Sequence, residues 1–111
     1  MWLFAKNGFL TFVQHDNRPD LLLVRGRIKG DIENYFPNAR VTYRTDRDYA
    51  YRTMLPKTRV AERIASAVSA IDYVKYKPSV QDKRRRQAYI TVWDTMYGLQ
   101  EQLAEHANGD R

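Results

Sequence analysis

The segment Leu21-Leu22-Leu23-Val24-Arg25-Gly26-Arg27-Ile28-Lys29-Gly30-Asp31-Ile32-Glu33-Asn34-Tyr35-Phe36-Pro37 changes its hydrophobic period partway along, and that change decides the fold class. Over Leu21 to Arg27 the residues are β-rich, and a period of two sets Leu22, Val24, Gly26 and Ile28 on one face and Arg25 and Arg27 on the other. Over Gly30 to Phe36, Ile32, Tyr35 and Phe36 recur at helical spacing. Asp31 and Glu33 sit where a helix dipole favours acids, and Pro37 stops the run. A strand passing directly into a short helix begins a mixed fold.

Working outward, Phe9 to Gln14 is a second β-rich run upstream, joined to the first through the polar turn cluster His15-Asp16-Asn17-Arg18-Pro19-Asp20. Downstream, Arg40 to Arg44 and Tyr49 to Leu55 alternate around Thr45-Asp46-Arg47-Asp48, a second hairpin in which Val41 and Tyr43 face opposite Arg40, Thr42 and Arg44. From Pro56 onward Val60, Ile64, Val68 and Ile71 recur at helical intervals. Asp72 to Pro78 is an irregular connector. A last helix over about Asp82 to Ala104 carries the stripe Tyr89, Val92, Met96, Leu99 and Leu103, with Ser79 or Asp82 as its cap. Gly98 inside it marks a close contact with another helix or a second subunit.

The element order is thus β-β-α-β-β-α-α. The expected fold is α+β: a four-stranded antiparallel sheet in a permuted ferredoxin-like arrangement (β-β-α-β-β-α) plus a long C-terminal helix, the N-terminal strand replacing the missing last one. One sheet face is apolar and packs against helices. The other carries Arg25, Arg27, Arg40, Arg44 and Arg52, and is either wet and basic or partly covered by the last helix.

A chain of 111 residues, 43% hydrophobic and 29% charged, fits one domain, expected over 1–106 with a flexible tail at 107–111. No apolar run is long enough for a membrane span, and the start lacks the pattern of a signal peptide. The absence of cysteine excludes disulfides, thiolate metal sites and cysteine nucleophiles, and suits the cytoplasm.

Charge is the feature that points to a partner. Lys75, Lys77, Lys83, Arg84, Arg85 and Arg86 stand against Asp82 alone within twelve residues, a net +5 of the chain's formal +6. Concentrated charge of this kind attracts phosphate or an acidic protein surface. Four consecutive bases at 100° per residue point all round a helix, so part of the run must approach the protein. They also lie at the end where a helix dipole disfavours cations. Tyr73 and Tyr76 in the connector add aromatic faces on which bases stack. Catalytic types are sparse: His15 and His106 are the only histidines, and no phosphate loop or nucleophile elbow is present. His15, Asp16 and Asp20 include metal-ligand types, which turn formation already accounts for.

Met1-Trp2-Leu3-Phe4 with Gly8-Phe9, Pro19-Asp20-Leu21-Leu22-Leu23-Val24-Arg25, Gly30-Asp31-Ile32-Glu33, Asp48-Tyr49-Ala50-Tyr51-Arg52, Ile71-Asp72-Tyr73 and Tyr89 with Val92-Trp93 resemble a family of short uncharacterised proteins of bacteria, notably actinobacteria, and of phages. The resemblance implies one domain and transfers no catalytic or binding residue.

The expectation is a small basic module that is not an enzyme and uses no cofactor or metal. It binds nucleic acid through Lys75, Lys77 and Lys83 to Arg86, with the five sheet arginines. The rival is a protein-interaction factor, such as a phage-type modulator of a host protein, docking on an acidic partner. A homodimer is possible by analogy with other ferredoxin-like units.

Overall fold

The computed structural model describes the backbone of residues 1–109 and the side chains of residues 1–104. The chain divides into two compact units, Met1–Asp72 and Tyr73–Arg111.

The first unit contains strands β1 (Trp2–Ala5), β2 (Gly8–Gln14) and β3 (Leu21–Gly26), helix α1 (Asp31–Tyr35), strands β4 (Thr42–Tyr43) and β5 (Tyr51–Pro56), and helix α2 (Lys57–Ser69). Its fully antiparallel sheet has the order β1-β2-β3-β5-β4. The sheet therefore has five strands rather than the four expected from sequence. The added strand, β1, is too short for alternation to reveal it. It is held to β2 across the turn at Lys6-Asn7, with Ala5 opposite Gly8 and the Phe4 and Phe9 rings stacked at 4.5 Å. Met1 extends the ladder, exchanging backbone hydrogen bonds with Phe12 at 2.8 and 2.9 Å.

The strand expected over Arg40 to Arg44 shrinks to two residues, because Ala39 and Val41 are drawn onto the core before pairing begins. Tyr43, at the sheet edge, is exposed. β3 ends at Gly26, which leaves Ile28 exposed instead of on the apolar face. α2 likewise ends before Ile71. Val60, Ile64 and Ala67, at intervals of four and three, are the residues it turns to the core, and Val68 and Ile71 are exposed.

The core lies on one face of the sheet, where Leu10, Phe12, Val24 and Leu55 meet Ile32, Tyr35, Phe36 and Val60. α1 is held close to β2 by two devices. Gly8 has no Cβ, and one built there would stand 3.2 Å from the Asp31 carbonyl oxygen and 3.3 Å from the Tyr35 ring. Asp31 itself is buried, and its carboxylate accepts the Phe9 N–H at 3.0 Å. The chain enters α1 through Gly30 at φ +93°, a left-handed conformation that glycine takes without steric cost.

The second unit contains α3 (Tyr76–Ser79) and α4 (Lys83–Gly109). Asp82 rather than Ser79 caps α4: its Oδ1 accepts the Arg85 N–H at 2.9 Å. Tyr73, Tyr76 and Tyr89 form a ladder of rings, with centroids 5.8 and 6.1 Å apart. Along the expected apolar stripe only Tyr89 is buried and Val92 half-buried; every residue from Trp93 to Ala104 is exposed. Gly98 has open space where its Cβ would stand, so it marks no close contact among the described residues. The tail expected at 107–111 falls where side chains are not described, and residues 110 and 111 lie outside the described residues altogether. No helix among the described residues is long and apolar enough to cross a membrane.

Candidate nucleic-acid interface

The face of the sheet opposite the core carries a row of register partners that crosses all five strands. Trp2 of β1 stands opposite Thr11 of β2, Thr11 opposite Arg25 of β3, Arg25 opposite Arg52 of β5, and Arg52 opposite Thr42 of β4. Because successive residues of a strand point to opposite faces, this register puts all five side chains on one side. Phe4 and Phe9 lie on the same side, and their stacked pair meets the Trp2 ring edge-on at 6.5 and 6.1 Å.

Arg25 and Arg52 are like charges at directly opposed positions, an arrangement that destabilises a sheet. Neither forms an ion pair among the described residues. Burial, and after it the neighbouring Arg25 guanidinium, lower the pKa of Arg52 from its ordinary value. Arg25 is oriented by its Nε, which donates to Thr11 Oγ1 at 3.3 Å, and by the Tyr49 ring 4.8 Å from its guanidinium carbon. Arg27 lies over the same ring at 4.2 Å and donates to the Asp48 carbonyl at 2.8 Å. Tyr49 is buried and thus serves as a fixed platform for two guanidinium groups.

The other two arginines assigned to this face from sequence lie outside the row of register partners. Arg40 is exposed in the segment before β4. Arg44, just past β4, makes a bidentate pair with Asp46 at 3.0 and 2.8 Å between two exposed side chains, and the hydrogen bonds raise the pKa of the arginine and lower that of the acid. Sequence reasoning missed Trp2, Phe4, Phe9, Thr11 and Tyr49. The first four follow from alternation once β1 is recognised; Tyr49 lies in a loop and carries no periodic signal.

In the second unit the basic run separates into two pairs. Arg86 is half-buried, its Nε donating to the Val80 carbonyl at 2.8 Å and its Nη2 to Gln81 at 3.3 Å. Arg85 is half-buried against the Tyr89 hydroxyl at 3.3 Å. Lys83 and Arg84 are exposed, as is Lys75. Lys77 places its ammonium 4.0 Å from the centre of the Trp93 ring. Tyr73 and Tyr76, expected as stacking platforms, are half-buried in the tyrosine ladder.

The turn after β2 is occupied by its own hydrogen bonds. His15 Nδ1 accepts the Asn17 N–H at 3.2 Å, and Asp20 pairs with Arg18 at 2.9 Å. Among the described residues no three histidine or acidic side chains gather as metal ligands. An open cleft of about 400 Å³ lies beside α1 and α2, lined by Tyr35, Pro37, Arg59, Glu62, Arg63 and Ser66. Arg63 donates to the Tyr35 carbonyl at 2.7 Å and lies over the Tyr35 ring at 5.0 Å. No protein-family model, curated protein or solved structure matches this chain.

Proposed function

We propose that this protein is a non-enzymatic nucleic-acid-binding module, and that the sheet face of the first unit takes single-stranded nucleic acid. The observation that carries this reading is the opposed pair Arg25 and Arg52, which makes no salt bridge among the described residues, in a row that ends at the exposed ring of Trp2. Two guanidinium groups side by side are costly to the free protein and suited to a phosphate that bridges them. Trp2, two strands from Arg25 in the same row, offers a base a flat face, the pairing of cationic groove and aromatic platform used for single strands. The second unit by itself carries a separate set of exposed cations, Lys75, Lys83 and Arg84, suited to phosphate; in either unit affinity would come from phosphate contacts with little sequence reading.

The order of β2, β3, β5 and β4 supports reading the sheet as a permuted ferredoxin-like unit to which β1 has been added at the edge. A cytoplasmic location accords with the lack of cysteine. One observation favours the rival reading, a protein-interaction factor for an acidic partner: Val13, Leu23 and Met54 form the neighbouring row on the same face, and Val13 and Met54 are exposed.

The test is fluorescence anisotropy of labelled single- and double-stranded DNA and RNA across a salt series, with wild type, Arg25→Gln/Arg52→Gln and Lys83→Ala/Arg84→Ala. The proposal expects binding that favours single strands and weakens with salt, and a salt slope that falls by about one unit per phosphate contact removed. Absence of binding at low salt overturns it and moves the assignment to a protein partner.

A further inference from the structure

We propose that Arg25, Arg27 and Arg52 hold the terminal phosphate of a single strand, so that the sheet face takes an end of a nucleic acid rather than its interior. This inference rests on the single-strand reading proposed for the same face and names the ligand group that its arginines select. Arg25 and Arg52 are opposed on neighbouring strands, about 5 Å apart at the backbone. Arg27 follows Arg25 by two residues, and both guanidinium groups lie over the buried ring of Tyr49. None of the three makes a salt bridge among the described residues. Of the acids in the adjoining hairpin, Asp46 is paired with Arg44, and Asp48 accepts the Tyr49 N–H at 2.9 Å. Burial first, then the fields of Arg25 and Arg47, lower the pKa of Arg52, while Asp48 acts the other way. Positive charge at this point therefore exceeds what the neighbouring acids offset.

Charge and position together select an end group. A phosphodiester inside a strand carries one negative charge and two free oxygens, whereas a terminal phosphomonoester carries about −1.5 to −2 and three strong acceptor oxygens. Three guanidinium groups match the second better than the first. Two of them are already steadied by the protein: Arg25 Nε donates to Thr11 Oγ1 at 3.3 Å and Arg27 Nη1 to the Asp48 carbonyl at 2.8 Å. Each fork keeps further N–H donors for a ligand, and little side-chain freedom remains to be lost on binding. Position gives the second argument. Beyond Arg52 the row holds only Thr42, on the two-residue edge strand β4. In the other direction it continues through Thr11 to the exposed ring of Trp2, two strands or about 10 Å from Arg25. A strand threaded through the arginines would run off the sheet on one side at once. A strand that ends on them has the rest of the row for its length and Trp2 for a base. Either a 5′ or a 3′ phosphate supplies the same group, and which one binds fixes the direction of the strand.

The test uses the full chain and single-stranded oligonucleotides of about eight nucleotides, within the usual span of a single-strand site. One sequence is made with a 5′ phosphate, with a 3′ phosphate and with neither, and each competes against a labelled unphosphorylated strand in anisotropy, alongside inorganic phosphate alone. A phosphate at one end is expected to tighten binding roughly tenfold or more, the worth of an added charge-assisted hydrogen bond, and a phosphate at the other end to change it little. Arg52→Gln and Arg27→Gln, with unchanged circular dichroism, are expected to bring that ratio close to one. Equal gains from both ends, a preference that survives in both variants, or inorganic phosphate competing as well as the end-phosphorylated strand overturns the inference. Equal binding of all three strands also overturns it and leaves the single-strand reading intact, whereas no binding of any strand at low salt overturns both.

Discussion

Arg25 of β3 and Arg52 of β5 are direct register partners on the face of the sheet away from the core. Replacing Arg52 with Gln removes a like-charge contact and a partly desolvated cation. We expect the variant to gain ~0.2–1 kcal/mol of stability in urea while losing nucleic-acid affinity. A residue whose removal improves the fold and weakens binding is held for binding. A variant that is less stable, or that binds as wild type does, would count against this.

Trp2 is 68% exposed at the end of the same row. Trp2→Ala is therefore expected to unfold at nearly the wild-type denaturant concentration and to weaken single-stranded binding by ~1–3 kcal/mol, the worth of one base stacked on an aromatic ring. Binding to duplex should change little. Anisotropy on matched single- and double-stranded probes reads both.

Asp31 holds α1 against β2 by accepting the Phe9 N–H. Asp31→Ala leaves that amide without its acceptor in a site where Asp31 is 1% exposed, and is expected to cost ~1–3 kcal/mol or more in equilibrium unfolding. Gly8→Ala attacks the same contact from the other side. Its methyl group meets a backbone carbonyl oxygen that cannot rotate away, so a loss of ~1–3 kcal/mol is expected there too.

Asp82 caps α4, and the Arg85 N–H is the main cause of its lowered pKa. A carboxyl group depressed in the folded state stabilises fully above its unfolded value, ordinarily 3.8, and the stabilisation is lost as pH falls through the lower folded value. Wild type should accordingly lose part of its helical circular dichroism on acidification below that point. Asp82→Ala should show the loss already at neutral pH, with faster hydrogen exchange at the Arg85 amide. Equal exchange in the two proteins would mean that the cap carries no weight.

Elements with a strong local period were legible in the sequence. Leu22 and Val24 announced β3 and its buried face, Ile32, Tyr35 and Phe36 announced α1, and Val60 and Ile64 announced α2. The run Lys83 to Arg86 divides between half-buried and exposed side chains, as helical geometry requires of four consecutive bases. What escaped was short or aperiodic. β1 has four residues, β4 has two, and Tyr49 lies in a loop.

The sequence by itself determined the mixed α+β class, the position of the long helix and the concentration of charge, because each is written in local periodicity and composition. It also placed Arg25 and Arg52 on strands. Only the tertiary structure decided that these two stand side by side with Trp2 and Thr11 in their row, because register between strands depends on pairing across stretches of chain that no local pattern reports. The same holds for the apolar stripe of α4. Its spacing is visible in the sequence, whereas the exposure of Met96, Leu99 and Leu103 depends on what packs against the helix, which is a property of the fold.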